Sequence, residues 1–61
     1  MEQIERISYR MYYRFGKVRS INQIDEMINQ YQERYNVKPK QHILNSIKYW
    51  EDIKESINQI N

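Results

Sequence analysis

Arg6, Arg10 and Arg14 recur at intervals of four residues, and Lys17 and Arg19 follow, so the stretch from Arg6 to Ile24 carries five positive charges and no acid. Cations at this density neutralise anions, phosphates above all, because each contact with a nucleic acid releases condensed counterions. Tyr9, Tyr12 and Tyr13 are interleaved with them. A tyrosine ring can stack on an unpaired base, and its hydroxyl can donate to a phosphate oxygen. These residues are the candidates for nucleic-acid binding, with Lys38 and Lys40, on either side of Pro39, in support.

Other chemistry has few residues to work with. With no cysteine and a single histidine, a nucleophile and base reduce to Ser46 or Ser56 with His42. Neither pair has the turn or the third, orienting group that activation needs. Asp25-Glu26 and Glu51-Asp52 are sequence neighbours, which a helix turns about 100° apart. Glu51 and Glu55 share a face, but two carboxylates make a weak cation site. One histidine cannot complete a closed zinc site, which takes about four ligands, and the single glycine cannot build a phosphate loop. The chain is expected to bind rather than to turn over, with no metal, cofactor or small-molecule substrate.

Helices must position the basic residues. Ile21, Ile24, Ile28, Tyr31 and Tyr35 are spaced 3, 4, 3 and 4 apart, and Ile43, Ile47, Trp50, Ile53, Ile57 and Ile60 are spaced 4, 3, 3, 4 and 3. Both are apolar stripes of a 3.6-residue period. Ser20 and Gln23 form a capping-box pattern at the head of the first stripe. Asn36-Val37-Lys38-Pro39 interrupts the two, because proline disfavours the helical region for the residue before it. A link this short makes the helices antiparallel neighbours.

For the amino-terminal segment, Ile4, Ile7, Met11, Phe15 and Val18 fall on one helical stripe, Glu2 and Arg6 make an i,i+4 pair, and Gly16 stands at a helix C-cap. On that helix Tyr9, Tyr12 and Tyr13 face away from the stripe. Ile7, Tyr9, Met11, Tyr13 and Phe15 also alternate as a strand would. The helix is favoured because it also explains Ile4, Val18 and Gly16. The expected fold is a single all-α domain over residues 1–61, with three helices near 3–15, 21–35 and 40–59, and an N-terminal β-ribbon over residues 5–15 as the alternative.

The chain has 61 residues, is 39% hydrophobic and 30% charged, and has a net charge of +2 and a mean hydropathy of −1.04. A domain this small buries only about 60% of the surface its unfolded chain exposes. Without cysteines to staple it, it needs regular packing or association. Residues 53–60 run beyond what a middle helix of 21–35 can cover. Trp50, Ile53, Ile57 and Ile60 are therefore the expected surface for self-association into a homo-oligomer.

Met1-Glu2-Gln3-Ile4-Glu5-Arg6 lacks the basic-then-apolar pattern of a secretory signal, and no apolar run approaches the roughly 18 residues of a membrane span. A cytoplasmic protein with no membrane partner is expected. Ten isoleucines and six tyrosines against no alanine or threonine suggest an AT-rich genome, as in small phage or plasmid products, whose setting is the host cell cytoplasm.

Residues 24–52 resemble small ribbon-helix-helix or helix-turn-helix DNA-binding regulators. Tyr35 stands where an apolar residue closes the first helix, Asn36 at the turn, Val37 at the apolar position after it, and Ser46-Ile47 at the small-then-apolar pair of the second helix. The resemblance implies transcription regulation, with Lys38 and Lys40 held against phosphate at the amino end of the second helix. The expected function is a small nucleic-acid-binding regulator using its basic amino-terminal face. The alternative is a phage-type inhibitor or adaptor that docks the same Arg/Tyr surface on an acidic protein.

Overall fold

A computed structural model describes residues 3–60. Three helices follow one another: α1, Gln3–Phe15; α2, Lys17–Val37; and α3, Gln41–Asn58. No strand occurs among the described residues, so the β-ribbon alternative for residues 5–15 does not hold. The four-residue steps at Ile7, Met11 and Phe15 satisfy both periods. What decides for the helix is that Ile4, Ile7 and Met11 all turn onto the core together. The Glu2–Arg6 pair lies outside the described residues, since Glu2 does.

α2 and α3 form an antiparallel hairpin. Lys54 Nζ donates to Asp25 Oδ1 at 2.7 Å across it, the two residues lying about equally far from Pro39 along the chain. The buried hydrophobic core between the helices is made of isoleucine alone: Ile24 and Ile28 from α2, and Ile43, Ile47, Ile53 and Ile57 from α3. A β-branched side chain is held near one χ1 rotamer in a helix, so these residues lose little further freedom on packing. Met27, Tyr31, Tyr35, Tyr49 and Trp50 are half-buried around them.

α1 crosses the open end of this hairpin. Ser8 and Ser20, both fully buried, mark its two contacts. Ser8 Oγ donates to the Ile4 carbonyl at 2.7 Å and reaches the Ile53 carbonyl at 3.4 Å, and Ser20 Oγ donates to the Met11 carbonyl at 3.0 Å. At each point a small side chain lets a helix backbone approach, and the hydroxyl keeps its own buried oxygen satisfied.

Two expectations change here. α2 begins at Lys17, four residues before the expected start, and Ser20 is not a cap. It lies one turn inside the helix, and its N–H already bonds the Gly16 carbonyl at 3.1 Å. The apolar stripe starts at Ile21 because α1 covers the preceding turn through Ser20, not because the helix starts there. At the far end α2 continues past 35 to Val37. Pro39 restricts only Lys38, which is extended at φ −135°, ψ 96°, while its N–H still bonds the Arg34 carbonyl at 2.9 Å.

Residues 53–60 are not left uncovered either. Ile53 and Ile57 are fully buried within the chain. Ile60 is half-buried in a small groove that it shares with Glu5, Tyr9, Ser56 and Gln59. Of the four residues expected to serve self-association, Ile53 and Ile57 are buried in the core that all three helices share, and Trp50 and Ile60 are half-buried. Val18, expected on the α1 stripe, belongs to α2 and is exposed.

Candidate nucleic-acid interface

The apolar stripe of α1 fixes which residues point outward. With Ile4, Ile7, Ser8 and Met11 turned to the core, Arg6, Arg10 and Arg14 are all exposed, on a ladder that drifts about 40° per step from Arg6, nearly opposite the core, to Arg14 on its flank. At about 100° per residue, Tyr9 and Tyr13 lie about 60° around the helix from Arg6 and Arg10, so a tyrosine track runs beside the arginine track. The two rings stack with centroids 6.1 Å apart and planes inclined by 20°. Tyr13 is 79% exposed and Tyr9 42%.

Tyr12 departs from the expectation. It is half-buried, packed against the core, and meets Tyr13 edge-on at 5.7 Å. Its position is close enough to the apolar stripe for the large ring to cover the edge of the core. Tyr12 therefore braces the outer pair rather than presenting a face of its own.

Gly16 makes the corner that brings Lys17 and Arg19 to this surface. It joins α1 to α2 as the single residue between them, at φ 81°, ψ 167°, a region open in practice to glycine alone. The chain turns without a longer loop, and Arg14 of α1 and Arg19 of α2 close on the same ring. Each guanidinium carbon lies 5.5 Å from the centroid of Phe15. A cation over a ring keeps its N–H donors available at its edge. Phe15 was legible in the sequence only as an apolar position. Its flanking arginines, one residue before and four after, were the signal of this role.

Lys17 and Arg19 occupy the first turn of α2, which has no acid. Cations there face the positive end of the helix dipole, an arrangement that costs about 0.3–1 kcal/mol each at an exposed site. Among the described residues the one ion pair is Lys54–Asp25, so none of the five basic residues from Arg6 to Arg19 is neutralised by a described acid.

Lys38 and Lys40 are exposed at the α2–α3 turn, with Lys40 at the N-cap of α3. The 21 residues of α2 separate them from the Gly16 corner by about 30 Å. The structure does not gather them with the other basic residues, and any shared ligand would have to span that length.

His42 is exposed, and Ser46 Oγ donates to its backbone carbonyl at 3.1 Å, not to its ring. Among the described residues no three His, Asp or Glu side chains converge, and no helix is long and apolar enough to cross a membrane. Compared with protein-family models, curated proteins and solved structures, the chain finds no match in any of the three.

Proposed function

We propose that this chain is a non-enzymatic nucleic-acid-binding module of the small-regulator kind, acting in the cytoplasm, whose ligand lies along the outer face of α1 and the first turn of α2. The observation that carries the reading is the exposed row of Arg6, Arg10, Arg14 and Arg19 with the half-buried Lys17, unpaired with any described acid and flanked by exposed tyrosines. Placing two of these cations at the positive end of α2 works against helix stability, which favours a role in binding an anion over one in folding. Lys38 and Lys40 contribute only to a ligand long enough to reach the far end of α2.

The test is the salt dependence of DNA and RNA binding, followed by fluorescence anisotropy. Five phosphate contacts give a slope of log K against log salt of about −3.5 on single strands and about −4.5 on duplex. Replacing Arg6 and Arg10 by Gln should reduce the slope by about two contacts' worth. Absence of binding to any DNA or RNA at about 50 mM salt, where the non-specific term is strong, refutes the reading. Capture of one acidic protein, insensitive to nuclease and lost in the same double variant, would assign the face to a protein partner instead.

A further inference from the structure

We infer that the nucleic acid this face takes is single-stranded, with the bases on the Tyr9–Tyr13 pair and the backbone along the arginines; the inference rests on the function proposed above. Tyr13 leaves 79% of its surface in solvent although the core lies one helical face away. Burying an aromatic ring of this kind against apolar surface is worth about 1.5–3 kcal/mol, so the exposed pair forgoes stability that an inward position would have supplied.

The pair is nonetheless ordered. Its rings stack on one another, and Tyr12, packed on the core, holds Tyr13 edge-on at 5.7 Å. A base arriving there meets a ring already fixed in place, which reduces the ordering cost of binding.

Duplex offers such a platform little. Paired bases present their edges in the grooves and their faces only to their neighbours in the stack. A single strand can splay its bases, and every base then has a face to lay on a ring, whatever the sequence. The two tracks on α1 also share a repeat. Tyr9 to Tyr13 and each step of Arg6, Arg10 and Arg14 advance four residues, about 6 Å along the helix axis. Charge for the backbone and ring for the base therefore recur side by side, while Arg14 and Arg19, held on Phe15, continue the charged track around the corner.

The experiment compares the full chain with its Tyr13→Ala, Tyr9→Ala and Tyr13→Phe variants, titrated against labelled oligothymidine, oligouridine and a DNA duplex of the same length at low salt. Circular dichroism of each variant confirms that the exposed substitutions leave the fold intact. The wild-type chain should prefer the single strands, and each alanine variant should lose about five- to 150-fold on them, the worth of one stacked base, with duplex binding unchanged. Tyr13→Phe keeps the ring and should keep the affinity.

Equal affinity for duplex and single strand with harmless alanine substitutions overturns the inference but leaves the proposed function standing. So does a Tyr13→Phe variant as weak as Tyr13→Ala, which would assign the hydroxyl and not the ring. Failure to bind any of the three probes takes down both. The oligothymidine and oligouridine arms decide between DNA and RNA as the source of the strand.

Discussion

Replacing Ile57 by alanine tests the arrangement of the helices most directly, because this residue is fully buried within the chain, in the core to which α1, α2 and α3 all contribute. The substitution removes three carbons. At about 0.8 kcal/mol per buried methylene the lost transfer energy is about 2.4 kcal/mol. A residual cavity of roughly 60–80 Å3 at about 24 cal/mol per Å3 adds up to about 2 kcal/mol if the helices do not close on it. The expected loss is therefore about 2.5–4.5 kcal/mol. A 61-residue domain has a total stability of about 3–9 kcal/mol at the usual value per residue.

Ile57→Ala should thus remove about a quarter or more of the stability and can unfold the chain outright. Ile57→Val, expected to cost about 0.5–1.5 kcal/mol, keeps the comparison measurable. Urea unfolding followed by circular dichroism and by Trp50 fluorescence, at two protein concentrations tenfold apart, supplies the readout. Burial within one chain predicts the same loss at both concentrations. If Ile57 were covered by a second copy, the apparent stability would instead move with concentration, by about 1.4 kcal/mol per tenfold for a dimer. That shift, or an Ile57→Ala variant within about 0.5 kcal/mol of wild type, where surface substitutions fall, would refute the reasoning.

Gly16→Ala should destabilise by about 1–3 kcal/mol through backbone strain alone, since an added Cβ meets no atom within 4 Å; a loss under 0.5 kcal/mol in urea would show that the corner is not built as described. Lys17→Glu should raise the melting temperature while weakening nucleic-acid binding. Removing the cation and adding an anion at the head of α2 each contribute about 0.3–1 kcal/mol, and about 1 kcal/mol is worth roughly 4–8 °C in a domain of this size. A calorimetric scan showing a lower melting temperature would contradict it. Ser8→Ala should cost about 0.5–1.5 kcal/mol for its hydroxyl contacts, whereas Ser8→Leu, forced between α1 and α3, should cost more, by about 1–3 kcal/mol of overpacking; equal losses in denaturant unfolding would refute the close approach of α1 and α3 at Ser8. Lys54→Met should change stability by no more than about 1 kcal/mol, since the side chains of the Lys54–Asp25 pair remain partly exposed, 36% and 45%, and water screens them, and a larger loss in the same assay would show that the bridge holds the hairpin.

Much of this protein can be read without coordinates. The isoleucine stripes of α2 and α3 carry their own period, and Pro39 restricts Lys38, so two antiparallel helices and their shared core follow from local rules. The outward direction of Arg6 and Arg10 follows in the same way, once Ile4, Ile7 and Met11 claim the other side of the helix; Arg14, only about 20° around from Ile7, does not follow from the stripe. Period and charge are properties of neighbours along the chain, and neighbours are what a sequence displays.

The tertiary structure decided what depends on how α1 packs against the other two helices. It buried Ile53 and Ile57 in a core that α1 shares, turned Ser20 from an apparent cap into a contact with Met11, drew Tyr12 inward as a brace, and closed Arg14 and Arg19 on Phe15. It also kept Lys38 and Lys40 a helix length away from the other basic residues. The separation of Lys38 and Lys40 is set by the length of α2, and each of the other outcomes hangs on the direction in which the chain leaves Gly16. That direction is set by one backbone conformation and by the packing of distant residues, Ser8 against Ile53 above all, and no spacing within the sequence encodes it.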